Sequence, residues 1–321
     1  MTGLRAGTAV VTGGAGFVGS HLCEALLDAG HPVVCVDNGS TGRPRNVAHL
    51  LDRAGFTLLE QDVSVRLDVD DDVGSVFHLA SPASPPDYLR LPVETMLVGS
   101  AGTHHALELA RRHGARFLLA STSEVYGDPE RHPQREDYWG NVNPVGPRAV
   151  YDEAKRFSEA LTTAYRTAYG VDVTIARIFN TYGARMRTDD GRVVPTFIGQ
   201  ALAGEPLTVA GDGLQTRSLC HVSDTVRGLL ALAASSHPGP VNIGNASELT
   251  VRDIAAVIQN VCGSSAPLTF VDLPVDDPKQ RCPDTTLARE ALGWQPRVDL
   301  RDGLGQTVAW FRQEAVGPQP S

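Results

Sequence analysis

"TAVVTGGAGFVGSHLCEALL", residues 8–27, decides how this chain folds. Thr8 to Thr12 are small, apolar or β-branched and read as a short buried strand. From Phe17 onward apolar residues recur at helical spacing to about Leu27. Between the two, Gly14-Ala15-Gly16-Phe17-Val18-Gly19 fits GxGxxG, and Gly13, Gly16 and Gly19 fit GxxGxxG. Glycines in that position let backbone approach a pyrophosphate, and the helix N-terminus offers it unpaired N–H groups. Alone, such glycines make an ordinary tight turn. Here a second strand, "HPVVCVD" (31–37), follows and ends in Asp37. An acid there accepts from ribose hydroxyls and repels a 2′-phosphate, so the site is expected to take NAD, with Phe17, Val18 and Asn38 lining it.

The pattern continues outward. "FTLLEQD" (56–62), "SVFHLAS" (75–81) and "RFLLAS" (116–121) read as further strands, with helical patterns between them, notably about 91–113. "RAVYDEAKRFSEALTTAYRTAYG" predicts one long helix, and "VDVTIARIFN" a sixth strand. Strands alternating with helices imply right-handed parallel crossovers, hence an α/β, doubly wound parallel sheet of Rossmann type. Asp62 and Val63, then Leu79, Ala80 and Ser81, end two of these strands and are expected at the adenine and nicotinamide ends; Asp62 also reads as a solvated loop acid. Residues 1–180 are expected to form the NAD-binding domain. Residues 181–316 are expected to form a smaller C-terminal substrate-binding region, with segments crossing back to the sheet. The last residues, 317–321, read as a tail.

The chain has 321 residues, 42% hydrophobic and 20% charged, with a net charge of −9. Nothing basic and continuous is available to track phosphates, which excludes a general nucleic-acid binder. No stretch approaches the length of a membrane span, and the N-terminus lacks a signal-peptide pattern. Five scattered cysteines without CxxC spacing suit reduced thiols in a cytoplasm. The histidines, His104-His105 included, lack ligand spacing, so no metal is expected.

Chemistry concentrates in "FLLASTSEVYGDPE" (117–130) and on the long helix. Only Lys155 and Lys279 are lysines, so a lysine at a motif position stands out. Tyr151 and Lys155 are spaced i, i+4 and project from one face. An ammonium near a phenol is expected to depress the tyrosine pKa towards neutrality, making Tyr151 a base for an alcohol proton. Thr122, at the sheet edge, is placed to hold the same hydroxyl. Tyr-x-x-x-Lys arises by chance on many helices; the upstream cofactor motif gives this one its context.

The blocks GGAGFVGSH, HLASPASPPDY, ASTSEVYGDPERHPQREDYWGNVNP, GPRAVYDEAKR and ARIFNTYGARM together resemble the extended short-chain dehydrogenase/reductases, and more closely the UDP-glucuronate decarboxylases (UDP-xylose synthases). The resemblance runs from about residue 8 to 312. It implies a UDP-sugar substrate and a homodimer formed through helices near 91–113 and 147–169. It also implies a nucleotide-diphosphate grip by Asn180, Arg192, Gln215 and Arg217. Arg281 is implied near the sugar carboxylate, and Tyr88 near the hexose. The sequence departs from the family at Glu94, where a lysine is usual, at Gly99, usually asparagine, and at Cys282, usually lysine.

Ser123 discriminates among reactions. Oxidising C4 of UDP-glucuronate makes its carboxylate a β-keto acid, which loses CO2 with only the ketone as electron sink. A dehydratase needs an acid and a base, and uses an Asp-Glu pair. An aspartate at 123 would face the substrate carboxylate, whereas serine donates a hydrogen bond to it. Decarboxylation with return of hydride to give UDP-xylose is therefore the expectation. A nucleotide-sugar 4-epimerase or 4,6-dehydratase is the alternative, as is a decarboxylase that releases the 4-keto-pentose; a non-enzymatic scaffold would not need an intact Tyr151 and Lys155. Glu124 could destabilise the carboxylate, hold a water or help protonate C5, and Arg281 could bind the carboxylate or assist that protonation.

Overall fold

A computed structural model describes residues 3–70, 72–273 and 278–316, without the side chains of 315 and 316; the expected tail, 317–321, lies outside them. β1 (Thr8–Thr12) is buried along its whole length, and the glycine turn leads into α1 (Phe17–Asp28). This helix buries Leu22, Cys23, Leu26 and Leu27 against the sheet. Gly14 has no room for more: a Cβ there would lie 2.5 Å from Cys35 Sγ. Gly13 has φ +69°, and its Cβ would lie 2.8 Å from the Ala80 backbone, so the turn touches the end of a neighbouring strand.

β2 (Val33–Asp37), β3 (Phe56–Glu60), β4 (Val73–His78), β5 (Arg116–Thr122) and β6 (Val173–Ile178) follow. The smaller strands are β7 (Thr181–Tyr182), β8 (Leu207–Ala210), β9 (Thr216–Ser218), β10 (Cys220–His221), β11 (Val241–Ile243), β12 (Glu248–Thr250) and β13 (Leu268–Val271). The main sheet has the order β11-β6-β5-β4-β1-β2-β3, and its neighbours are all parallel. The chain reverses direction across the sheet between β1 and β4, which is where doubly wound sheets open a ligand crevice at their carboxyl edge. β11, from residues 241–243, pairs with β6 at one edge of this sheet.

Helices cover both faces. α2 (Pro85–Arg90) and α3 (Pro92–Leu97) run through a π-helical turn, Val98–Gly102, into α4 (Thr103–His113). α5 (Ala149–Tyr169), α6 (Val193–Ala203), α7 (Val222–Ala234), α8 (Val251–Cys262), α9 (Thr286–Leu292) and α10 (Leu300–Val316) complete the set. One core cluster joins α1 and α7 to the sheet, a second joins α4 and α5 to its other face, and a third unites α6, α8 and α10. The expected helix 91–113 is thus interrupted, because Gly99 passes so close to α5 that a Cβ would lie 2.7 Å from Ala154 Cβ. The third, fourth and sixth strands end sooner than the apolar runs suggested, since their last residues turn out into loops.

Candidate active site

A cavity of about 620 Å³ lies along the carboxyl edge of the sheet, and every site residue singled out from the sequence lines it. At one end are Gly13, Gly16, Phe17, Val18 and Gly19. The N-cap of α1 is Gly16, with no side-chain cap and no acid in the first turn, so its N–H groups face the cavity unmasked. Asp37 Oδ2 accepts from Ala15 N at 3.0 Å and Oδ1 from Gly39 N at 2.9 Å. Burial raises its pKa, which those two N–H groups oppose. Asn38 Nδ2 donates to Asp62 Oδ2 at 3.1 Å, and Ser64 ties Asp62 Oδ1 by its N and Oγ. Asp62 is therefore both a turn acid and part of the cavity wall, beside Val63. Leu79, Ala80 and Ser81 follow from the end of β4.

The centre of the cavity is built by β5 and α5. The Thr122 side chain hydrogen-bonds the Tyr151 phenol and also accepts from Glu124 N at 3.2 Å. Tyr88 stacks on Tyr151 with ring centroids 5.2 Å apart and planes 10° apart. Lys155 Nζ donates to the Ala120 carbonyl at 3.0 Å and lies 5.9 Å from the Tyr151 ring centroid. The expected depression of the Tyr151 pKa is corrected here: burial pushes it up to about 12, against the Thr122 hydrogen bond and the Arg192 charge. The lysine is committed to a backbone carbonyl rather than to the phenol oxygen, and desolvation lowers its own pKa to about 8.

Beside them is a buried charge cluster. Arg281, 2% exposed, donates from Nη1 to Ser123 Oγ at 3.0 Å and to Glu124 Oε1 at 2.6 Å. Its Nη2 donates to Glu124 Oε2 and to the Gly127 carbonyl, both at 3.2 Å. Arg148 Nη2 donates to Glu124 Oε2 at 2.5 Å. Burial alone would raise the Glu124 pKa, but the two guanidiniums hold it well below the usual carboxylate range. The two guanidiniums thus face Glu124 as an acceptor. Asp152 lies next to this cluster with Oδ1 buried and, among the described residues, without a hydrogen-bond partner. Burial and then the Glu124 charge raise its pKa to about 7.

Asn180, Arg192, Gln215 and Arg217 form the far wall. Arg192 is not an isolated cation: its Nε and Nη2 fork onto Asp190. Gln215 Nε2 donates to the Ala210 carbonyl and Arg217 Nη1 to the Thr216 carbonyl, both at 2.8 Å. Of the three departures, Glu94 is exposed on the cavity rim, Gly99 lies at the helix crossing, and Cys282 is buried outside the cavity lining. Arg148 and the pair Asp87–Arg187, joined at 2.7 Å, also line the cavity and were not singled out from the sequence. Arg148 stands three residues before Tyr151, a helical spacing that could have drawn attention; Asp87 and Arg187 meet only through the fold.

A model of the NAD dependent epimerase/dehydratase family matches residues 9–244. The chain belongs to that family. A UDP-glucuronic acid decarboxylase 1 of Xenopus tropicalis is 52% identical over 95% of this chain and 72% of its own. A UDP-glucuronic acid decarboxylase 2 of Arabidopsis thaliana is 53% identical over 97% and 69%. Among solved structures, a UDP-glucuronic acid 4-epimerase from Bacillus cereus, in complex with UDP-glucuronic acid and NAD, matches with a TM-score of 0.86. It is 30% identical, covering 96% of this chain and 99% of that one. The bare α1 N-terminus and the acid ending β2 fit the NAD that the family uses. Among the described residues no helix is long and apolar enough to cross a membrane, and all five cysteines are free.

Proposed function

We propose that this chain decarboxylates UDP-glucuronate to UDP-xylose. The observation that carries the reading is Ser123, uncharged and buried, held by Arg281 between Thr122 and Glu124. A dehydratase would need an acid there; a substrate carboxylate needs a neutral donor. The Xenopus tropicalis and Arabidopsis thaliana relatives, both UDP-glucuronic acid decarboxylases, support the same reading.

Gly13, Gly16, Gly19 and the α1 N-terminus would hold the pyrophosphate of NAD, and Asp37 and Asn38 its ribose. Asp62 and Val63 would flank the adenine, and Leu79, Ala80, Ser81, Tyr151 and Lys155 the nicotinamide end. Bound there, NAD supplies a reversible hydride acceptor for C4. Asn180, Arg192, Gln215 and Arg217 would grip the UDP diphosphate, and Tyr88 would flank the hexose.

Tyr151 exchanges the C4 hydroxyl proton while Thr122 holds that oxygen in place. Its high starting pKa means the cations Arg192 and Lys155 must favour the phenolate as the proton leaves. Once C4 is a ketone, the bond from C5 to the carboxylate breaks and CO2 departs. The electron pair moves into the C4 carbonyl, whose oxygen Tyr151 and Thr122 stabilise by hydrogen bonds. Ser123 Oγ accepts from Arg281, which leaves its own O–H to donate to the departing carboxylate. Glu124 stays an anion that orients Arg281 and Arg148, so the C5 proton comes from water in the cavity.

Purified protein given UDP-glucuronate and NAD should release CO2, accumulate no stoichiometric NADH and yield UDP-xylose by mass spectrometry. No CO2 would sink the reading, and one NADH per CO2 would sink the return of hydride. We also propose a cytoplasmic homodimer, suited to free thiols and to the exposed apolar surface at Val93, Met96 and Leu97 of α3 and Phe157 of α5. Light scattering tests it: a monomer at micromolar concentration would refute the pairing.

A further inference from the structure

Outside the cavity lining, three side chains from distant parts of the sequence converge. His132 Nε2 lies 3.1 Å from Glu248 Oε2, and with Cys282 Sγ they offer three ligand atoms all within 4.8 Å of one another. Cys282 is 5% exposed, while the His132 and Glu248 side chains are 38% and 25% exposed, so a cation could enter from solvent. The frame behind them is built. Gln134 N donates to the Cys282 carbonyl at 2.9 Å, Cys282 N donates to Gln134 Oε1 at 2.8 Å, and Thr216 Oγ1 donates to Glu248 Oε1. That last bond fixes one carboxylate oxygen and leaves Oε2 turned towards the histidine.

We propose that His132, Glu248 and Cys282 form a transition-metal site, with Zn²⁺ the fitting ion, outside the cavity lining and next to the segments that carry Arg281 and Arg217. Imidazole, thiolate and carboxylate together select zinc over magnesium or calcium, which take oxygen ligands. Glutamate and thiolate carry two negative charges to match a divalent ion. Zn–N and Zn–O bonds of about 2.1 Å and a Zn–S bond of about 2.3 Å set tetrahedral ligand atoms roughly 3.5 Å apart. The widest pair therefore closes by about 1 Å, within reach of side-chain rotation. On binding, the thiol proton goes to buffer as the sulfur–metal bond forms, and the Sγ contact to the Ala246 carbonyl at 3.4 Å is released. A water completes the fourth position.

The site would tie together three segments. Cys282 follows Arg281, whose carbonyl accepts from Ser218 Oγ at 3.1 Å. Glu248 lies on β12, paired with β9 so that Leu249 faces Arg217. His132 sits on the loop that leads to Gln134. The metal would thus brace the peptides carrying Arg281 and Arg217 without touching substrate.

Titration of the purified, metal-free protein with Co²⁺ tests this independently of any reaction. One Co²⁺ per chain is expected, with a thiolate-to-cobalt charge-transfer band that Zn²⁺ displaces and Mg²⁺ does not. Zn²⁺ should raise the Tm of the same protein. Cys282→Ser should abolish the band, and both it and His132→Ala should weaken binding about a hundredfold or more, since even outer-shell changes cost 10–100-fold. Absence of stoichiometric binding, displacement by Mg²⁺, or a thiolate band that persists in Cys282→Ser would overturn the proposal.

Discussion

Replacing Ser123 with aspartate puts the proposed carboxylate chemistry under direct strain. The serine is 2% exposed, and its Oγ and Glu124 Oε1 share one nitrogen of Arg281, at 3.0 and 2.6 Å. A carboxylate at 123 would share the Arg281 nitrogen with Glu124 and would meet the substrate carboxylate proposed to dock there, each pair taken at about 4 Å. Each such like-charge pair costs about 4 kcal/mol at an effective dielectric constant of about 20. Arg281 offsets part of this, leaving a net penalty of about 2–4 kcal/mol, a thirtyfold to thousandfold fall in kcat/KM. CO2 release from UDP-glucuronate gives the rate, and Ser123→Asn, of equal size but neutral, separates crowding from charge. The asparagine variant should be at least about tenfold faster than the aspartate one. Equal rates for the two, or an aspartate variant within threefold of the parent, would refute the reasoning.

Other expectations follow from the same contacts. Tyr151→Phe removes the proton-transfer group but keeps the ring stacked on Tyr88, so turnover should fall about 10²–10⁴-fold while NAD affinity, read by calorimetry, holds. Asp152 has a folded pKa of about 7, above its ordinary 3.8, so its burial favours the fold at acid pH and that advantage fades as pH rises through 7. Asp152→Asn should flatten this slope in urea unfolding measured from pH 4 to 9; an unchanged slope would move its origin elsewhere. Gly99→Ala would set a Cβ 2.7 Å from Ala154 Cβ and 3.0 Å from its carbonyl, costing about 1–3 kcal/mol and lowering Tm by several degrees.

The cofactor end of the cavity was legible because its parts are local. A strand, a glycine turn, a helix and the acid ending the next strand lie within residues 8–37, and each has its own short-range signature. The parallel sheet followed from the same alternation. β11 was harder, since three residues, Val241–Ile243, carry no periodicity, and their place beside β6 is decided by tertiary pairing. The charge cluster escaped for a related reason. Sequence spacing can suggest that Tyr151 and Lys155 share a face, but not that the lysine turns to the Ala120 carbonyl. Nor can it reveal that Glu124 is clamped by Arg148 and Arg281, contacts that span 24 and 157 residues. Gly99, where the family usually has asparagine, lies where two helices pass closely, a contact that spacing alone does not show.

That long contact also orders events during synthesis. The glycine turn, β5 and the start of α5 leave the ribosome well before residue 281 exists. A nascent chain can therefore shape a dinucleotide pocket while Glu124 and Asp152 share a buried corner with a single guanidinium, that of Arg148. Glu124 then has one cation where the complete fold gives it two, and burying it costs more. Arg281, near the end of the chain, supplies the second cation that the complete fold places on Glu124. A chain still short of residue 281 therefore lacks the second cation of this cluster, and that corner of the cavity is completed last.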